Sequence, residues 1–205
     1  MRGLLVVALI GLLVSGCTQG TLEPASGAHQ TLRDRELLAH APYAQATVSQ
    51  TYQRHVVDYA GREKAGTIVI DTGARFLYYV MRNGKAIRYG ITVGEQGQAW
   101  SGVATVGRMA EWPDWIPTAE IQHRLGPYPA RVAGGPHNPM GARGIYLYEG
   151  GKDTLYRIHG TNQPEYIGRA ISSGCIRMIN EDVIDLYSRV RLGTTVVVLP
   201  PGRSV

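Results

Sequence analysis

Residues 75–93 constrain the fold of this chain more than any other stretch. Residues 75–81 and 86–93 are runs of β-branched and aromatic side chains, and Asn83-Gly84 lies between them. Asn and Gly both tolerate the positive φ of a type I′ turn, so the pattern predicts a β-hairpin. The same texture returns at 67–70, 103–109, 144–148, 155–159 and 195–199, with Gly and Pro frequent in between. Short runs broken by turn residues predict a mainly β domain with a few short helices.

Two segments read as helices, 118–124 and 181–190. For the second, Asn180 is the predicted N-cap, and Glu181 and Asp182 fall in the first turn, where the helix dipole favours negative charge. Val183, Leu186, Tyr187 and Val190 share one face and are expected to pack on the sheet. Gly193 closes this region before the last strand.

The N-terminal part has a different character. Arg2 followed by the uncharged stretch 3–13 matches a secretory leader and is too short to cross a bilayer as a helix. Val14-Ser15-Gly16-Cys17 then reads as a cleavage and lipid-attachment site. The expected organisation is a signal peptide over 1–16, a lipidated tether over 17–60 and one catalytic-sized domain over 61–205. Residues 18–60 mix Gln, Ala, Ser and Thr with a short helical stretch at 32–39, which reads as spacer. Thr18 stands where bacterial lipoproteins retained at the inner membrane, which this leader resembles, carry aspartate. The expected location is therefore periplasmic, lipid-anchored to the outer membrane.

The formal charge of +5 is spread without a Lys/Arg block, which argues against a nucleic-acid partner and suits a polyanionic wall polymer. Of the two cysteines, Cys17 is assigned to the anchor, which leaves Cys175 as a free thiol. It lies in Ser172-Ser173-Gly174-Cys175-Ile176-Arg177, and His159 precedes it in Ile158-His159-Gly160-Thr161-Asn162. An imidazole within reach favours the thiolate and so makes a thiol a good nucleophile, and the separation is long enough for the chain to turn back and bring the two together. Gly174 allows a sharp turn before the thiol, and neighbouring amides could form an oxyanion hole. A buried structural cysteine with a hydrogen-bonded histidine is the competing reading. Serine catalysis by Ser172 or Ser173 would use a weaker nucleophile. No ligand cluster accompanies the thiol, so no metal and no cofactor are expected. His29, His40, His55, His123 and His137 read as surface or loop residues.

These residues resemble a known family. From about 67 to 198 the chain is similar to the L,D-transpeptidase catalytic domain, through Gly134-Gly135-Pro136, Asn138-Pro139-Met140-Gly141, Ile158-His159-Gly160-Thr161-Asn162, Ser172-Ser173-Gly174-Cys175-Ile176-Arg177 and Asn180. The resemblance implies a β-sandwich-like domain and a cysteine acyl-enzyme acting on peptidoglycan stem peptides. The thiol would attack the carbonyl of the L-centre of meso-diaminopimelate in a tetrapeptide donor and expel the terminal D-alanine. An amine of a second stem, or a lysine of a wall-attached lipoprotein, would then take the acyl group. Carried over, Cys175 is the nucleophile, His159 the base, and Gly160 orients the imidazole through its carbonyl. The amides of Gly174 and Cys175 face the oxyanion, with Ser173 beside them, and Arg177 meets a substrate carboxylate or holds the loop.

Two departures stand out. Ser173 replaces the family's usual histidine, and Trp100-Ser101-Gly102-Val103-Ala104-Thr105 replaces its Thr-Pro-x-Gly segment. Water as acceptor would make the protein an L,D-carboxypeptidase or an amidase, and a silent wall-binding lipoprotein is a further alternative. Trp112-Pro113-Asp114-Trp115-Ile116-Pro117 reads as a substrate flap or as a core edge, whereas Tyr146, Tyr148 and Tyr156 read as packing.

Overall fold

The computed structural model describes residues 21–22, 29–94, 100–126, 129–172 and 174–205. The leader over 1–16, Cys17 and Ser173 lie outside the described residues. Among the described residues the strands are β1 (Thr21–Leu22), β2 (His55–Asp58), β3 (Ile68–Asp71), β4 (Phe76–Val80), β5 (Lys85–Gly90), β6 (Val93–Gly94), β7 (Gly102–Glu111), β8 (Arg143–Glu149), β9 (Lys152–His159), β10 (Ala170–Ser172), β11 (Ile176–Arg177) and β12 (Thr195–Val198). The α-helices are α1 (Leu32–Ala39), α2 (Ala119–Leu125) and α3 (Asn180–Arg189). The domain is mainly β, as its sequence texture implies.

The hairpin forms where the turn chemistry places it. β4 and β5 pair from Phe76↔Gly90 to Val80↔Ala86, and Asn83 and Gly84 both take positive φ, 61° and 65°. Ten strands join in the order β1-β2-β5-β4-β3-β12-β7-β8-β9-β11. The C-terminal strand β12 inserts between β3, to which it is parallel, and β7, to which it is antiparallel. This position explains the unbroken apolar run from Val196 to Val198, since a central strand is covered on both faces.

On one face the sheet buries Ile68, Ile70, Leu77, Ile87, Ile145, Leu147, Ile158 and Ile176 against Met178, Val183, Leu186 and Val190 around α3, with Tyr187 packed at the margin. A smaller cluster of Tyr59, Val69, Val80, Ala86 and Leu199 also forms. The predicted helix face therefore does cover the sheet. Its cap differs from expectation: Ile179 is the N-cap, without a side-chain bond, and Asn180 is the first helical residue.

Residues 29–58, read from sequence as part of a spacer, are packed on the domain. β2 extends the sheet by pairing with β5, from His55↔Arg88 to Asp58↔Lys85. Arg54, 5% exposed, approaches Asp185 at 3.1 Å and Asp182 at 3.7 Å. Helix α1 starts with a capping box in which Thr31 and Asp34 bond each other's backbone N–H. Asp34 also accepts from Arg143 and from the Trp112 indole at 2.8 Å. The segment is mostly polar because its bonds to the domain are polar, which removes the apolar periodicity that sequence reading relies on. Among the described residues no helix is long and apolar enough to cross a membrane.

Candidate active site

The site lies where β8, β9 and β11 run side by side. β11 is parallel to β9 with Ile176 opposite Ile158 and Arg177 opposite His159, and both isoleucines enter the core. Side chains alternate between faces, so Arg157 and His159 on β9, Cys175 just before β11 and Arg177 on it all project from the opposite face. His159 and Cys175 are diagonal neighbours on that face, with backbones about 8 Å apart at ordinary strand spacing. Across β8 and β7 the rows continue: Arg157 faces Tyr146 and then Arg108, and His159 faces Gly144 and then Ala110.

His159 ends β9 and is 4% exposed. Its Nδ1 lies 2.6 Å from the Gly160 carbonyl oxygen, and the Met140 backbone also hydrogen-bonds the ring. Burial, followed by the nearby positive charge of Arg177, pushes the imidazole pKa down to about 3 against those two bonds. The ring is therefore neutral at pH 7.

The turn after His159 is tightly held. Asn180 accepts from Ala142 N at 2.9 Å and donates to Thr161 O at 2.8 Å and to the Tyr43 hydroxyl at 2.9 Å. A Cβ on Gly160 would overlap Asn180 Oδ1, so only glycine lets this amide approach the turn. Asn138 fixes the preceding loop by donating to Pro113 O, Val132 O and Ala133 O, while its Oδ1 accepts from Met140 N at 2.7 Å. Asn162 adds a bond to His137 O at 3.0 Å. The two glycine- and asparagine-bearing motifs thus act together to set the imidazole.

Cys175 is half-buried. Desolvation raises its thiol pKa, which outweighs the positive charges of Arg157 and Arg177 and a hydrogen bond from the Arg157 backbone. The thiol is thus expected to be neutral at rest, whereas the sequence reading favoured a thiolate held by the imidazole. Gly174 before it takes φ 113°, a conformation that excludes most side chains. The Ser172 hydroxyl donates to Cys175 O at 2.6 Å and closes this turn, and β6 presses against it so closely that a Cβ on Gly94 would overlap Ser172 O and Gly174 N. Arg177 reaches Gln163 Oε1 at 3.5 Å and pairs through its backbone with Thr92.

Cys175, His159, Gly160, Gly174 and Arg177 are therefore gathered at one end of three strands. Sequence reading passed over Arg157, which borders both the thiol and the imidazole, and read Tyr156 as packing; its ring does pack on the core and stacks on Trp100 with ring centres 4.9 Å apart, and its phenol also lies near Cys175. The signal was available for Arg157, which stands two residues from His159 in a strand and so on the same face. In the 112–117 segment Trp112 is 4% exposed and clusters with Ala142 and Ile184 at a core edge, whereas Ile116 is 70% exposed.

Comparison with known proteins places this geometry in context. Residues 65–198 match the YkuD family model, an L,D-transpeptidase catalytic domain. The Probable L,D-transpeptidase ErfK/SrfK of Escherichia coli strain K12 is 37% identical over 141 residues, covering 64% of this chain and 43% of that protein. The Probable L,D-transpeptidase YbiS of the same strain is 35% identical over 139 residues, with the same two coverages of 64% and 43%. The chain thus spans less than half the length of these curated relatives. A crystal structure of a Probable carnitine operon oxidoreductase from Brucella melitensis is 49% identical, with a TM-score of 0.51, and the match covers 77% of this chain and 99% of that one. The Ldtfm–avibactam carbamoyl enzyme shares the fold at 22% identity and a TM-score of 0.51, over 67% of this chain and 49% of that one.

Proposed function

We propose that this chain, which belongs to the YkuD family of L,D-transpeptidase catalytic domains, acts as an L,D-transpeptidase on peptidoglycan stem peptides through a Cys175 acyl-enzyme. The observation that carries this reading is the placement of Cys175 and His159 on one face of two paired strands, beside the turn at Gly174 with its φ of 113°. In the first half-reaction Cys175 Sγ bonds to the carbonyl carbon at the L-centre of diaminopimelate while its proton passes to His159. The tetrahedral intermediate collapses, the bond to D-alanine breaks, and His159 returns the proton to the departing amine. An acceptor amine then attacks the thioester, gives a proton to His159, and Sγ leaves to become the thiol again. Gly160 O holds the ring through Nδ1, and the amides of Gly174 and Cys175 stabilise the oxyanion. The neutral resting pair means that deprotonation accompanies attack.

The product is a cross-link between stems or a protein attached to the wall. The leader and Cys17 support export, lipidation and a place on the periplasmic side of the outer membrane, with the membrane engaged only through the anchor. Incubation of the full-length protein in detergent with purified disaccharide-tetrapeptides, read by mass, tests the activity. A dimer lacking one D-alanine is expected. Free tripeptide without dimer would make the protein a carboxypeptidase, and unchanged substrate would overturn the proposal.

A further inference from the structure

Tyr146 sits between two arginines on the face that carries Cys175. The register puts Arg108 on one side of it and Arg157 on the other, and each guanidinium carbon lies 4.5 Å from the centre of its ring. Stacking of this kind holds a guanidinium flat and leaves its edge N–H groups directed outward, in the geometry that grips a carboxylate. Arg157 commits its Nη1–Nη2 fork to Asp153, at 2.6 Å and 2.7 Å, and donates from Nη1 to Tyr156 O at 2.9 Å, which leaves its Nε–H and second Nη2 hydrogen for an anion, whereas Arg108 is exposed. Arg108 and Arg157 both act on Asp153, and Arg157 and Arg177 both border the thiol. Positive groups gathered on a half-covered surface repel one another, and a docked anion relieves that repulsion.

Resting on the proposed transpeptidase reading, we infer that Arg108 and Arg157, aligned by Tyr146, form a subsite for the side-chain carboxylate of the donor's diaminopimelate residue. The distances select this carboxylate over that of the terminal D-alanine. Tyr146 is two strands from Cys175, about 10 Å at ordinary ladder spacing. The side-chain carboxyl carbon is six bonds beyond the scissile carbonyl and reaches roughly 7 to 8 Å when extended, a span that meets guanidinium groups leaning over the ring. The D-alanine carboxylate is three bonds away and stays beside the thiol, within the sphere of Arg177. The subsite would thus read the side chain of the residue being transferred, on the side away from the leaving group.

The test uses the full-length protein and two disaccharide-tetrapeptides that differ only in carrying a carboxylate or a carboxamide at the D-centre of diaminopimelate. Wild-type protein is expected to prefer the carboxylate donor about tenfold in kcat/KM, chiefly through KM, the size of one charge-assisted hydrogen bond. Arg108→Gln should lose about tenfold on that donor and nothing on the carboxamide, and Tyr146→Leu should follow the same pattern. Calorimetric binding of both donors to Cys175→Ala reads the subsite without turnover and should show the same preference. Equal binding of the two donors, or an Arg108→Gln loss that is the same on both, would overturn the subsite and leave the transpeptidase reading standing. Discrimination in binding without any D-alanine release by wild-type protein would overturn the transpeptidase reading instead.

Discussion

Asp34 and Arg143 lie 109 residues apart in the chain and form a two-pronged ion pair whose side chains are 1% and 3% exposed. The bonds measure 2.9 Å and 2.7 Å, and Thr31 and Trp112 satisfy the remaining capacity of the carboxylate. Arg143 begins β8, and its carbonyl accepts from Gly160 N at 3.1 Å. The N-terminal helix is thereby tied to the turn that carries the imidazole. Removing one member strands a buried charge, so Asp34→Ala should lower stability by about 3 to 5 kcal/mol. Chemical denaturation of the two proteins measures it, and a change below about 1 kcal/mol would assign the pair no structural weight.

The same carboxylate gives a pH dependence. Its pKa is lowered from 3.8 to about 2, with the bonds from Arg143, Thr31 and Trp112 overcoming burial. A group whose folded pKa is depressed contributes stability above its unfolded value and loses it as pH falls through the folded one. Wild-type protein should therefore lose this contribution between pH 4 and pH 2. Asp34→Asn should lack that component of the acid transition when unfolding is followed across the range.

For His159 the depressed pKa acts on the rate. The base works only when neutral, and at about 3 it is neutral over the whole range in which an ordinary histidine would titrate. The acid limb of kcat/KM should lie near pH 3 and not near 6.5. Alkylation of Cys175 by iodoacetamide should keep rising into the alkaline range, because the thiol is raised above its ordinary value. A plateau in alkylation from pH 5 to 8 would instead reveal a thiolate–imidazolium pair and refute the neutral ground state.

Covalent trapping separates the nucleophile from its surroundings. A carbapenem should acylate the wild-type thiol and add the intact drug mass, and Cys175→Ala should take up none. An adduct persisting in that variant would remove Cys175 from its role.

Gly160 supplies a steric prediction. A methyl group there collides with Asn180 Oδ1 and approaches Ala142 N at 2.8 Å, so Gly160→Ala must spread the clamp that holds His159. Overpacking of this kind costs about 1 to 3 kcal/mol, and D-alanine release should fall more than stability accounts for. A variant with wild-type kcat would show that the clamp leaves the imidazole unmoved.

Reading the chain alone recovered the parts whose cause is local. The Asn83-Gly84 hairpin, the five other apolar or aromatic strand segments and the buried face of α3 follow from turn chemistry and from side-chain alternation, both properties of neighbouring residues. Cys175, His159 and Arg177 were legible because a reactive residue type in a glycine-bearing loop is visible one residue at a time. Asn180 was misread as a cap because its three partners, Ala142, Thr161 and Tyr43, are far away in sequence. Residues 29–58 were misread as spacer for the same reason. Their attachment runs through Asp34, Arg54 and the edge of β5, and a polar bond leaves no periodic trace.

The chain's own order of residues determined the strand content, the chief hairpin and the identity of the thiol and imidazole, since each depends on interactions within a few positions. Tertiary structure decided that the two groups share one face, that both rest uncharged, and that a distant carboxylate braces the turn between them. Those outcomes depend on strand register and on removal from water, which exist only once segments separated by tens of residues are packed together.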